Sequence, residues 1–322
     1  MQLLKITITH LQIIGFTGNF STQWPQTLIS VFAIPSSAAT ITTASNNIAI
    51  DCLFHPSVFL STSLTIFLPS FIFLAVTLFY LIVGVIKREF MSEIQLKIKH
   101  GTLVLLYVAH PGIIQSLLKS MECYDVGSQS LSRVDMNIDC KSTSFQILRA
   151  FSAIFLVLYG FGGLILLFVV VSRNKEFEFL TKGYKNEMYY WDLVITLRKI
   201  LITIISVFAS PPLQLFFTIW ILFCSWLAQH FWKPYSQRLS GQMETISLWI
   251  LLITVTTGML YFTKVLDSKS DLGIAVSILL ILLNFMMIAS FIGFIFGKKV
   301  TGWTRRSQIE NIETKTEPLL TL

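Results

Sequence analysis

Charge is what this 322-residue chain has least of: Asp, Glu, Lys and Arg together make up 13% of it, against 54% hydrophobic residues. A water-soluble domain carries roughly a quarter charged residues, so water is excluded as the main solvent of its surface. Motifs for metal or nucleophile chemistry are missing as well. The five histidines, His10, His55, His100, His110 and His230, are scattered along the chain. No His-x-x-x-His or Cys-x-x-Cys spacing offers a tetrahedral metal site. Gly293, Gly297, Lys298 and Lys299 lack the spacing and the Ser or Thr of a phosphate loop, and they follow an apolar helix rather than a strand. The same two glycines form a Gly-x-x-x-Gly pair, which allows two helices to approach closely. No enzyme activity, metal or cofactor is therefore expected. The N-terminus also lacks the charged n-region, long h-region and cleavage site of a signal peptide. Either the first spanning segment inserts the protein or the chain is the downstream piece of a longer one.

What is present is a series of long apolar runs, and Phe alone contributes 27 residues. A bilayer core takes about 20 mainly apolar helical residues to cross. Seven stretches meet that length: 58–86, 101–118, 146–171, 191–209, 213–229, 246–266 and 272–296. The first is interrupted by Pro69, the second carries His110, Pro111 and Gln115, and the fifth follows the Pro211-Pro212 turn. Residues 6–34 are apolar but broken by Gly15, Gly18 and Pro25. They can be an eighth, irregular span, a re-entrant piece or an interfacial helix, ahead of a polar loop at 35–47. The expected fold is all-α, a polytopic transmembrane bundle of seven to eight spans. Its parts are an irregular N-terminal segment with an outer loop (1–57), the bundle (58–296) and a basic cytosolic tail (297–322).

The net charge of +7 invites a nucleic-acid reading, but in a membrane protein the placement of Lys and Arg matters more than their sum. Connections 87–100, 172–190 and 230–245 and the tail after Phe296 hold 15 of the 24 Lys and Arg. The opposite side holds seven, Lys5, Lys119, Arg133, Lys141, Arg149, Lys264 and Lys269. That bias places the C-terminus in the cytosol and loop 119–145 outside, and it places the N-terminus in the cytosol if 6–34 crosses. Lys298, Lys299, Trp303, Arg305 and Arg306 read as an interfacial anchor for anionic lipid. No nucleic-acid partner is expected, and a homo-oligomer is compatible with the sequence.

Three of the four cysteines, Cys52, Cys123 and Cys140, fall on the outer side, where disulfides persist. Cys123–Cys140 is the expected bond because the two share one loop, with Cys52–Cys123 and Cys52–Cys140 as competitors. The odd count leaves one thiol free or paired elsewhere. Cys224 lies in mid-span, as a small apolar filler.

The fourth stretch carries the costliest residues. Arg198 and Lys199 lie about 10 Å along the helix from Trp191 at 1.5 Å per residue. Each costs about 2.5–3.5 kcal/mol at the bilayer centre. Two readings stay open: both cations snorkel to the cytosolic headgroups, or they face the bundle and pair with an acid to form a gate. Glu244 is the natural partner, with Arg198 better suited to it by its planar fork, and Asp192 is the alternative. No arginine recurs every third residue, as a voltage sensor would need. His110, Gln115 and Asn284 are costly in lipid and are expected to point inward as lining of a cavity. Thr254, Thr256 and Thr257 can satisfy their hydroxyls on their own helix.

Several short motifs occur in a recognisable order. They are Tyr189-Tyr190-Trp191-Asp192, Val194 and Arg198-Lys199, then Lys233-Pro234-Tyr235, Met243-Glu244 and Ser247-Leu248. Upstream stand Lys5-Ile6, His10-Leu11-Gln12, Trp24-Pro25 and Asp51-Cys52, followed by Cys123, Asp135, Ile138, Cys140 and Ser142. Together they resemble the C-terminal transmembrane module of large protist surface proteins described as TRP-like, distantly similar to fungal TRP-like membrane proteins. The resemblance implies a membrane module, often preceded by a Cys-rich ectodomain and one further span, and its naming implies cation conduction. The connection from Asp267 to Asp271 is five residues, too short for a re-entrant filter. Ions would therefore use a groove or cavity within one subunit. The alternatives are a small-molecule carrier and an anchor or receptor module. The rhodopsin-like triplet after the third span and an Asn-Pro-x-x-Tyr run in the last are both missing.

Overall fold

A computed structural model of the chain describes residues 2–18, 20, 24–39, 58–87, 91–127, 129–133, 135–163, 165, 169 and 183–316. The helices are α1 (Gln2–Gly18), α2 (Gln26–Ala39), α3 (Val58–Lys87), α4 (Met91–Ser120), α5 (Thr143–Val157), α6 (Trp191–Phe208), α7 (Pro211–Trp232), α8 (Arg238–Phe262) and α9 (Asp271–Thr316). A hairpin of β1 (Cys123–Val126) and β2 (Gln129–Ser132) joins α4 to α5. Among the described residues, six helical segments are long and apolar enough to cross a membrane: α3, α4, α5 together with the turn at Leu158–Gly162 that continues it, α7, α8 and α9.

The helix ends follow local chemistry. The Ser142 side chain accepts from the Phe145 N–H and caps α5, which satisfies one of the donors every helix start leaves over. Pro211 and Pro212 open α7, where a missing N–H costs nothing. Lys233 closes α7 in the left-handed conformation at φ 42°, and Pro234 after it prevents continuation. Three helices reach well beyond the apolar runs that announce them, α9 continuing past 296 to Thr316 in the stretch expected to be the tail. α4 begins ten residues ahead of 101, through the polar stretch with Glu93, Lys97 and His100, and α8 begins at Arg238 rather than at Ile246.

Burial separates the helices into an outer and an inner set. α3 turns Phe67, Phe71, Phe79, Ile82 and Val85 outward, as a lipid-facing helix does. α1 is buried nearly all round, from Leu3 through Thr17, and contacts α2, α6, α8 and α9. The stretch expected to be irregular is thus the central helix. Leu3 and Ile6 pack with Tyr184, Trp191, Tyr235 and Met243 at one end of the bundle. Ile13, Phe16, Phe20 and Trp24 pack with Tyr261 and Leu266 at the other. α6 runs alongside in the same direction, from Trp191 at the first end to Val207 beside Leu118 of α4 at the second.

Lys5 therefore sits at the end that carries connections 172–190 and 230–245, not at the opposite end where its position in the sequence had placed it. Moving it widens the Lys and Arg split from 15 against 7 to 16 against 6. α2 packs on the end of α1 through a close approach at Gly18, where an added Cβ would fall 2.8 Å from the Cβ of Phe32. Cys123 and Cys140 are joined in a disulfide with a Cα–Cα distance of 6.3 Å. Cys52 lies outside the described residues, so the competing pairs have no structural counterpart.

Candidate functional site

Two residues seven apart on α1, Lys5 and Gln12, face two residues seven apart on α6, Asp192 and Lys199. Seven residues are close to two helical turns, so each pair keeps to one face of its helix. Lys5 Nζ lies 3.3 Å from Asp192 Oδ2, with the side chains 3% and 1% exposed. Two turns further on, Lys199 Nζ donates to Gln12 Oε1 at 3.3 Å. Thr196 and Thr203, which continue the polar face of α6, return their hydroxyls to the Asp192 and Lys199 carbonyls.

A third helix completes the cluster. Arg198 Nη2 donates to Glu244 Oε1 of α8 at 2.9 Å, with both side chains buried. One turn along α8, Ser247 Oγ lies 2.8 Å from His10 Nδ1 of α1. Each member is further held from outside the pair. Gln12 Nε2 donates to the Val108 carbonyl of α4 at 2.8 Å, which fixes the amide so that its oxygen faces Lys199. The Lys199 ammonium also stands 4.1 Å from the centre of the Tyr107 ring, within cation–π range.

The Tyr184 hydroxyl donates to Asp192 Oδ1 at 3.0 Å, and a short antiparallel bridge between Tyr184 and Tyr235 holds it in place. In that bridge the Lys185 N–H donates to the Pro234 carbonyl and the Ser236 N–H to the Gly183 carbonyl. Burial, with Asp192 adding to it, pushes the Tyr184 phenol well above its ordinary value. It therefore keeps its proton and remains a donor.

With its lysines, arginine and carboxylates ionised and His10 neutral, the cluster holds three cations and two carboxylates, a net charge of +1. Its geometry matters because a lone buried ion is expensive, whereas a paired and hydrogen-bonded one is tolerated. Lys5 and Arg198 each face a carboxylate, while Lys199 is held by an amide oxygen and a ring face. A cavity between α6, α7 and α8, with about 10 Å³ in which a water-sized centre can move, borders Arg198, Glu244, Gln229 and Trp191.

Arg198, Lys199, Glu244 and Asp192 all belong to this cluster. Neither cation snorkels: Arg198 is 6% exposed and Lys199 is fully buried. Asp192, the alternative partner for Arg198, is taken by Lys5. The three residues expected to line a cavity do not meet. His110 Nε2 donates to the Tyr159 carbonyl at 2.8 Å, in the wider π-type turn of residues 158–162 that follows α5. Gln115 is buried on α4. Asn284 of α9 donates to Thr254 Oγ1 and to the Leu280 carbonyl. The lining of the cavity beside the cluster includes none of the three.

Lys5, His10, Gln12, Ser247, Tyr107 and Tyr184 are members that reading for charge inside apolar runs does not find. Four of them, Lys5, His10, Gln12 and Ser247, stand within the short motifs set out from the sequence. No protein-family model, no curated protein and no solved structure matches the chain. Fold and composition together define its class, a multi-pass helical membrane protein.

Proposed function

We propose that the chain is a TRP-like membrane module of eight crossings with an ion-transport or sensory role, and that the buried cluster is its control element. α1 and α6 are the seventh and eighth crossings. Each carries its polar residues toward the other, so its average apolarity understates its place in the bundle. The charge bias puts the C-terminus and the start of α1 in the cytosol, and the β1–β2 hairpin outside.

The observation that carries the reading is the concentration of five Lys, Arg, Asp and Glu side chains between three helices of an apolar bundle. Ionisable groups at such depth are rare and mark ion paths, relays or sensors. It is supported by the way the resemblance residues combine: Lys5 with Asp192, His10 with Ser247, Gln12 with Lys199 and Arg198 with Glu244. With its lysines, arginine and carboxylates ionised, the net positive cluster repels cations, so cation movement would require it to rearrange rather than pass through it as it stands.

Tracer flux and current recordings on the purified chain in liposomes test this. Flux that Glu244→Gln or Lys199→Gln alters is the expected result. Absence of flux for cations, anions and small neutral solutes alike would sink it. The second reading, a membrane anchor or receptor module, is favoured by the tight pairing of the same groups. It is the one left standing if nothing passes.

A further inference from the structure

The cavity beside the Arg198–Glu244 pair has mainly apolar walls, with polar side chains at its border. Four polar residues border it: Arg198, Ser225, Gln229 and Glu244, with Trp191 and Leu248 among its apolar walls. Three of the four are more than nine-tenths buried, Arg198 at 6%, Gln229 at 4% and Glu244 at 2% exposed. Two of them carry buried atoms with no partner in the described structure, the donor Arg198 Nε and the acceptor Gln229 Oε1. A buried guanidinium N–H and a buried amide oxygen each lose the hydrogen bond they had with water if they stay unsatisfied. The space is just large enough for one water, and these two unpartnered atoms supply two of the two to four partners that a buried water needs.

We propose that this cavity is a built site for a single resident water that ties α7 to the ion pair. The water accepts from Arg198 Nε–H and donates to Gln229 Oε1, and its second proton is directed at the Glu244 carboxylate or the Ser225 oxygen. Ser225 already donates its own proton to the Ile221 carbonyl at 2.7 Å, so its oxygen is left as an acceptor. The consequence is a third helix on the pair: Arg198 and Glu244 bridge α6 and α8 directly, and the water brings in α7 through Gln229. The inference concerns the packing of the pair and does not depend on whether the protein conducts ions.

A density map of the full chain, at a resolution where other buried waters are visible, tests the site directly. A peak within hydrogen-bond distance of both Arg198 Nε and the Gln229 side-chain oxygen is expected, and a clean void there overturns the proposal. Stability supplies an independent sign. Ser225→Val and Val194→Ile fill the cavity from α7 and from α6. Filling a dry hole raises the melting temperature or leaves it alone, but expelling a bridging water strands two polar groups and lowers it. A fall for both variants, and for Gln229→Leu, supports the water; a rise or no change for the two fillers overturns it.

Discussion

Arg198 and Glu244 are 2.9 Å apart with neither side chain in reach of bulk water, so removing one charge leaves the other with no solvent to compensate. Glu244→Gln is therefore expected to destabilise the protein by about 3–5 kcal/mol, the range for breaking a buried pair, read as a loss of melting temperature in detergent. The exchange Arg198→Glu with Glu244→Arg should recover most of that loss. If the double variant behaves as the plain sum of the two singles, the pair does not act as a pair. At the other end of the cluster, Tyr184→Phe removes one charge-assisted bond to Asp192, worth about 1.5–3 kcal/mol. Asp192→Asn takes away the carboxylate that faces Lys5 and should cost more than Tyr184→Phe. The reverse order in a thermal melt would mean that the lysine does not depend on Asp192.

Helix α1 behaves unlike an ordinary terminal segment. Terminal helices of this length fray, because most of their stability comes from packing on one face. α1 is buried on most of its surface, with Leu4 on the one exposed edge, and is hydrogen-bonded to α6 and α8. Its amides from Leu3 to Thr17 should exchange as slowly as those of α8, and fast exchange along α1 would contradict its central position. Reduction of Cys123–Cys140, which closes a separation of 17 residues, should cost about 3 kcal/mol in the chain-entropy picture, measured by comparing melts with and without reductant. Most of the lipid-facing helices were legible in the sequence, because an apolar run of about 20 residues matches the thickness of a bilayer core. What escaped was the interior. Hydropathy registers contact with lipid, so α1, whose Lys5, Thr9, His10 and Gln12 meet protein instead of lipid, looked like a broken span. The first turns of α8 escaped for the same reason, since Ser240 and Glu244 are polar yet buried. The pairing of Lys5 with Asp192 required knowing at which end of the bundle α1 begins, and that depends on tertiary packing alone.

For the molecule as a whole, the Lys and Arg split predicts which face meets the cytosol. Single cysteines introduced at Arg238 and Met136, at opposite ends of the bundle and flanking its surface, should react with an impermeant maleimide only from the inside and only from the outside, respectively. Labelling in the opposite sense would invert the whole topology. The native Cys224 is a free, exposed thiol in the middle of α7; a lipid-soluble reagent should modify it and a charged one should not. The matched spacing of α1 and α6 has a further consequence, for motion along the bundle axis. Pushing α1 two turns, about 10.5 Å, toward the hairpin end would bring the ammonium of Lys5 level with that of Lys199, and like charges would meet in an apolar interior. Drawing α1 the same distance the other way would instead set the neutral Gln12 amide against Asp192. The stagger is thus keyed by sign: a pull on the N-terminus is resisted only by the bonds it breaks, whereas a push runs into a stop, so the helix has a preferred direction of travel.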